Sequence, residues 1–288
     1  MLTHQELSRL FSSKRITEIS LGDTNFLRKV AQHYATHLSI EFFVKDVFEI
    51  CYKDLQKNYR SEYFFKNTVV NKILIGKHSL NTATALSEFR VSKSKADCII
   101  INGHSTCYEI KSELDNFDRL EKQLEHYKKI FDRVYVVTEA SHIKKLLQMN
   151  IIDIGIMELT QKNTLRIVKE APLAAHEIDA RTLIRSLRVG EYTEIIRSIY
   201  GEVPDLPNTE IFDACEELLI KAPPFDVRQT FSKVIKKTRK ADSSFLRSLP
   251  KSLLMAGIEY KLTKVQQQKL LSILNIKLSK DTLCTTLY

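Results

Sequence analysis

Hydrophobic and polar positions divide the 288-residue chain into stretches of different period. Up to residue 58 the apolar positions recur at helical spacing. Thr3 with Glu6 has the form of a capping box, Asp23 can cap a helix whose inner face is Leu27, Val30 and Tyr34, and Phe42, Phe43, Val47 and Ile50 predict another helix over Ile40–Leu55. A further helix begins near Tyr59, carries Val69, Val70, Ile73 and Leu74, and stops at Gly76, with Glu62 near its start. The period then shortens to two. Residues 83–91 read as a strand and 96–111 as a hairpin, so short turns make the three strands an antiparallel meander. Ser112 or Asp115 then caps a helix presenting Phe117, Leu120, Leu124, Tyr127 and Phe131 on one face. A buried strand over Arg133–Thr138, a short helix over His142–Met149, a strand over Ile151–Leu159 and its hairpin partner over Leu165–Lys169 follow. Past Ala171–Ala175 the pattern is helical, with breaks at 202–208 and 222–224. The expected organisation is a helical extension over 1–58, an α/β domain over 59–174 and an all-helical basic domain over 175–288.

Composition narrows the function classes. At 43% hydrophobic the chain can bury a real core, and no apolar run approaches the roughly 18 residues that span a bilayer. Met1–Glu6 lacks the basic start and apolar run of a signal peptide, so a cytoplasmic location is expected. Cys51, Cys98, Cys107, Cys215 and Cys284 are scattered without a C-x-x-C pair, which argues against a zinc ribbon or an iron–sulfur cluster. The formal net charge of +9 is unevenly placed: residues 225–280 carry 13 Lys or Arg against Asp226, Asp242 and Glu259, whereas residues 1–224 balance 31 basic with 31 acidic groups. A localised basic region attracts polyanions by counterion release, with nucleic acid the usual partner; a solvated basic face is the plain alternative. Lys233, Lys236, Lys237, Arg239 and Lys240 are the expected phosphate contacts, positioning a substrate without reading bases. The same basic helices would also suit a protein partner.

The candidate chemistry lies in the hairpin. Glu109 and Lys111 alternate onto one face of the second strand, with Ile110 and Tyr108 on the other. A two-residue Asn102-Gly103 turn would set Asp97 opposite Tyr108 and away from Glu109. A three-residue loop, Asn102-Gly103-His104, pairs Ile101 with Ser105 and Asp97 with Glu109. Two carboxylates opposed on an apolar sheet repel and resist desolvation unless a cation lies between them. Oxygen ligands suit Mg²⁺, with Mn²⁺ as a substitute, and the backbone carbonyl of Ile110 can add a ligand. Lys111 is placed to orient water and stabilise charge on a phosphate.

Asp97, eleven intervening residues and Glu109-Ile110-Lys111, in a helix–strand–strand–strand–helix–strand order, resemble the PD-(D/E)XK nuclease superfamily. Gln123-Leu124-Glu125-His126-Tyr127 is similar to the Q-x-x-x-Y signature of its RecB-like branch, although Ala96 stands where the superfamily name implies proline. The chain also resembles a family of bacterial proteins of uncharacterised role that contain this domain. The resemblance covers about residues 60–138 and implies a restriction-endonuclease-like core with an added hairpin. It further implies metal binding by Asp97 and Glu109, a catalytic Lys111, and Gln123 and Tyr127 lining the site. Glu88 and Glu62 match positions where the superfamily often adds an acid. The activity so implied is hydrolysis of phosphodiester bonds, DNA favoured, by metal-activated water. The alternative is an inactive nuclease-fold module that binds nucleic acid or a protein partner in a bacterial defence or mobile-element system. Glu259-Tyr260-Lys261 repeats the E-x-K pattern in a helical region with no strand-borne acid before it and serves as an internal decoy. His33 and His37 stand four apart outside any H-E-x-x-H sequence and read as a polar helix face, while His104 and His126 read as turn and helix-surface residues.

Overall fold

The computed structural model describes residues 1–113, 115–175, 177–207 and 209–281; Asn208, in the first expected helix break, and Cys284 lie outside them. The protein is mixed α/β. In chain order its elements are α1 (His4–Ser8), α2 (Ser13–Leu21), α3 (Asn25–His33), β1 (Glu41–Phe43), α4 (Val44–Asn58) and α5 (Glu62–Val69), continued by a wider-turned helix over Val70–Ile75. Then come β2 (Thr84–Val91), β3 (Ser94–Asn102), β4 (His104–Lys111), α6 (Leu120–Lys128), β5 (Arg133–Thr138), α7 (Ala140–Gln148), β6 (Gly155–Leu159) and β7 (Leu165–Lys169). The chain continues as α8 (Ala180–Ile184), α9 (Val189–Tyr200), α10 (Ile211–Lys221), α11 (Pro224–Thr238), α12 (Ser243–Ser248), α13 (Leu254–Glu259), α14 (Lys264–Leu274) and β8 (Lys277–Ser279).

These elements form two compact units, Leu74–Lys240 and Met1–Ile73 together with the chain from Ala241. The Leu74–Lys240 unit is built on a six-stranded sheet in the order β2-β3-β4-β5-β6-β7. β2, β3 and β4 form the expected antiparallel meander, β4–β5 and β5–β6 are parallel across α6 and α7, and β7 returns antiparallel. Ile99, Ile101, Cys107, Val134 and Val136 of the sheet share one core with Leu124 and Tyr127 of α6 and with Ile184, Ile195, Phe231 and Ile235 of the later helices.

That shared core moves the expected boundary at 174. The strand pattern does end there, but the helices after it carry apolar faces that need the sheet to cover them. Asp132 ties the two parts: its Oδ2 accepts from the Ser105 backbone N–H at 2.7 Å and hydroxyl at 2.8 Å, its carbonyl accepts from Ala174 N–H at 2.8 Å, and Arg228 Nη1 donates to its Oδ1 at 2.6 Å.

The other unit joins the chain's two ends. The Tyr260 hydroxyl donates to the Phe11 carbonyl at 2.5 Å and that of Tyr63 to the Ser252 carbonyl at 2.7 Å, while Asn67 accepts from Met255 N–H at 2.9 Å and donates to the Lys251 carbonyl at 2.9 Å. Residues 1–58 are therefore no separate extension. β1 pairs antiparallel with β8, Glu41 opposite Ser279. The helix expected from Ile40 instead starts at Val44: Glu41, Phe42 and Phe43 alternate exposed, buried, exposed, a strand period too short to stand out ahead of the α4 stripe. Through β8 the region after 175 is likewise not all helical.

Arg239, expected to contact phosphate, serves the fold. Its Nε and Nη2 donate to the Glu191 carboxylate at 2.5 and 2.6 Å, and its guanidinium lies 4.7 Å from the centre of the Phe89 ring. Glu191 is 2% exposed. Burial pushes its carboxyl up, but the bonds from Arg239 and the Arg188 backbone outweigh that and hold it below the usual carboxylate range. A folded pKa below the unfolded one stabilises the protein above the unfolded value, and that stability is lost as pH falls through the folded value. Arg239→Ala is expected to cost about 3–5 kcal/mol at pH 7 by stranding the Glu191 charge. Urea denaturation should show the gap between variant and parent narrowing below about pH 4.5, as Glu191 protonates.

Candidate active site

The site begins at the hairpin turn. Gly103 sits at φ +76°, a left-handed conformation that glycine adopts without steric cost, and the pairing runs Asn102 with His104, Ile101 with Ser105, Ile99 with Cys107 and Cys98 with Tyr108. Continued by one pair, this register sets Asp97 opposite Glu109, as the functional reading of the turn requires. Asp97 reaches across the strand gap, and Ile110 N–H donates to its Oδ2 at 2.7 Å. On the other side, β2 pairs Ser87 with Cys98 and Phe89 with Ala96, which leaves Glu88 opposite Asp97. Three carboxylates thus stand in a row across β2, β3 and β4.

Glu88 adopts φ +58°, a left-handed conformation that costs a non-glycine residue of order 1–3 kcal/mol. One of its carboxylate oxygens lies within 4.8 Å of one from Asp97. Glu88 also pairs with Lys95. The Ser87 hydroxyl donates to the Asp97 carbonyl at 3.1 Å and fastens the strands beside the row.

Glu109 is 1% exposed. Lys111 Nζ lies 3.1 Å from its Oε1 and donates to Gln123 Oε1 at 3.1 Å. Gln123 and Tyr127 come from successive turns of α6, which Leu120 and Leu124 anchor in the core. Glu109 Oε2 and the Tyr127 hydroxyl are buried without a hydrogen-bond partner. Burial pushes the Glu109 carboxyl up, against Lys111, Tyr127 and Gln123, which act to lower it. Burial and the nearby Glu109 charge raise the Tyr127 phenol. An unpaired buried carboxylate oxygen beside two further carboxylates fits a hard divalent cation, which would add to the positive charge of Lys95 and Lys111. Ile110 enters through its backbone, with its side chain in the core.

Sequence reasoning missed Thr138. It is fully buried opposite Lys111 on β5, and its hydroxyl donates to the Lys111 carbonyl at 2.6 Å, fixing the end of β4. The only signal for it was a hydroxyl closing an otherwise apolar strand.

Glu62 is exposed on the first turn of α5, where Lys66 Nζ lies 2.6 Å from it. On α11, Lys233 donates to Gln229 at 3.0 Å and Lys237 to Glu194 at 2.9 Å; just beyond the helix, Lys240 reaches the Asn81 carbonyl at 3.3 Å. These three are exposed and Lys236 is half-buried, in contrast to Arg239. α3 ends at His33, whose Nδ1 accepts from Leu2 N–H at 3.2 Å, so His33 and His37 do not share a helix face. His104 is exposed at the turn, and the His126 Nδ1 lies 2.7 Å from the Ser94 hydroxyl. The decoy Glu259-Tyr260-Lys261 spans the end of α13, with no strand to carry it.

A carboxylate row on a mixed sheet, with a lysine and a helix-borne Gln and Tyr beside it, defines an α/β protein with a candidate metal centre. The Bacteriophage P4 protein cII family matches residues 55–259, and the chain belongs to that family. Every candidate site residue falls in that span. Protein cII of Enterobacteria phage P4 is 31% identical over 93 residues, which cover 32% of this chain and 35% of that protein, so the match spans about a third of the relative's length. A solved protein of unknown function from Silicibacter pomeroyi aligns over 44% of this chain and 83% of its own at 17% identity, with a TM-score of 0.33, too slight a likeness to carry an argument.

If the row binds a cation, millimolar Mn²⁺ should raise the melting temperature of the parent by several degrees, since saturation at about 100 times Kd is worth about 2.7 kcal/mol. Asp97→Asn and Glu109→Gln should each lose that increment. A thermal melt with Mn²⁺ against EDTA measures it.

Proposed function

We propose that this chain is a PD-(D/E)XK-type nuclease hydrolysing phosphodiester bonds, DNA favoured, with Mg²⁺ as cofactor and Mn²⁺ as substitute. The observation that carries the reading is the row Glu88, Asp97 and Glu109, with an unpartnered buried oxygen on Glu109 and Lys111 beside it. The chain order α5, β2, β3, β4, α6, β5 supports a restriction-endonuclease-like core. Asp97 and Glu109 would hold the ion, with Glu88 and the Ile110 carbonyl as further oxygen donors. Such an ion lowers the pKa of a water and polarises a phosphoryl oxygen. Lys111, steadied by Gln123, would stabilise charge developing on the phosphate. The exposed Lys233, Lys237 and Lys240 and the half-buried Lys236 would position the backbone by charge alone.

One observation favours a second reading. Asp97 already accepts from the Ile110 N–H, Glu88 already pairs with Lys95, and Lys111 Nζ lies 3.1 Å from Glu109 Oε1, so each of the three acids already has a protein partner. Those partners suit an inactive nuclease-fold module that binds nucleic acid or protein within a mobile element, a setting in keeping with a phage protein family.

Purified protein incubated with single- and double-stranded DNA and with RNA separates the two. The enzyme reading expects Mg²⁺-dependent cleavage, abolished by EDTA and reduced at least about 100-fold by Asp97→Ala and by Lys111→Ala, the scale of losing one transition-state electrostatic contact. Cleavage by both variants at the parent rate would refute the site. Salt-sensitive binding without cleavage would favour the module.

A further inference from the structure

The unit formed by the chain's ends contains a cavity of about 1120 Å³ lined by α3, α4, Met1 and Leu2 before α1, and His4. Its walls carry Lys29 from α3 and Lys53 and Lys57 from α4, all exposed. Lys53 and Lys57 stand one helical turn apart, about 6 Å between their Cβ atoms, which puts two cations in a row along one wall.

Asp54 is the acid among the lining residues, and its charge is engaged. The Tyr34 hydroxyl donates to it at 2.5 Å, Asn58 Nδ2 donates at 2.7 Å, and His4 Nε2 lies 3.5 Å away. The lysines therefore set the sign of the groove's field. Between them the surface is not bare polar: His33, Tyr34 and His37 contribute rings, two of them edge-on to Tyr34, and Leu2 and Ile50 contribute aliphatic surface. A lining that combines cations, aromatic rings and apolar patches matches a ligand that alternates anionic groups with planar faces. Single-stranded nucleic acid has that composition, and such strands bind through backbone charge together with base stacking. An acidic peptide offers the charge without the faces.

We propose that this groove is a binding site for single-stranded nucleic acid, separate from the carboxylate row and requiring no metal. Lys29, Lys53 and Lys57 contact phosphates, and the His33 and His37 rings offer stacking surface to bases.

The test uses the full chain in EDTA, so that no cleavage can occur, with a fluorescein-labelled oligodeoxythymidine of about 12 nucleotides read by anisotropy, a length within the usual site sizes. The triple variant Lys29→Glu/Lys53→Glu/Lys57→Glu is expected to bind at least tenfold more weakly. A neutral Lys29→Gln/Lys53→Gln/Lys57→Gln triple should flatten the slope of log affinity against log salt by about 2, three lost contacts at about 0.7 each. It also serves if the charge-reversed protein does not fold, as judged by circular dichroism. A Lys→Arg triple should bind within about twofold of the parent, since arginine keeps the charge. The site is refuted if the parent does not bind, if the neutral triple binds within twofold of the parent, or if micromolar inorganic pyrophosphate displaces the oligonucleotide. Absence of cleavage in Mg²⁺ would count against the nuclease reading and leave this measurement unaffected.

Discussion

The pairing of Ile101 with Ser105 is the constraint on which the candidate site rests. Side chains alternate with a period of two, so a slip of one residue would turn Glu109 and Lys111 to the opposite face and bring Tyr108 against Asp97. Gly103 sets the register from the turn, and apolar partners enforce it along the strands, since Ile99 and Cys107 must both reach the core that α6 covers. The same register aligns β4 with β5 and places Thr138 against Lys111. One turn glycine and a few core side chains thus hold a row of acids that would otherwise separate by repulsion.

Asp132 plays the corresponding part for the rest of that unit. It sits where α6 gives way to β5 and satisfies groups from β4, the 174 segment and α11 together. Such a residue has high stakes. With all its bonds made, the surroundings are fixed in one arrangement, while loss of one partner would leave a buried group unpaired. The network explains why helices remote in sequence belong to the sheet's core, and why the unit ends near Lys240 and not where the strands stop.

The parts of this structure readable from sequence are those fixed by local pattern. The meander, its turn and the α6 stripe follow from alternation, a glycine and a 3.6-residue period over adjacent residues. Gln123 and Tyr127 were legible for the same reason, being four apart on one helix. What was not legible depends on partners far along the chain. β1 is three residues long and exists through β8, more than 230 positions later. Arg239 looked like a surface cation because nothing near it in sequence announces Glu191. In each case the residue type was read correctly, and its environment was set by a contact that periodicity does not encode.

The acids in the row differ in how their charges are met. Glu88 has a lysine on the adjoining strand, Asp97 has a backbone N–H, and Glu109, the most buried, has Lys111 on one oxygen while the other is buried beside Tyr127 without a well-formed hydrogen bond. A fold selected for stability alone would gain by replacing that carboxylate with an apolar side chain of similar volume, since a half-compensated buried charge is weak support for a core. Tyr127 repeats the pattern, with a buried hydroxyl left unbonded beside it. The Glu109 oxygen and the Tyr127 hydroxyl that lack full polar satisfaction are thus neighbours, at the buried end of the row. The strained backbone of Glu88 stands at the other end of the same row, so the departures fall on one line across three strands and not at scattered points in the core.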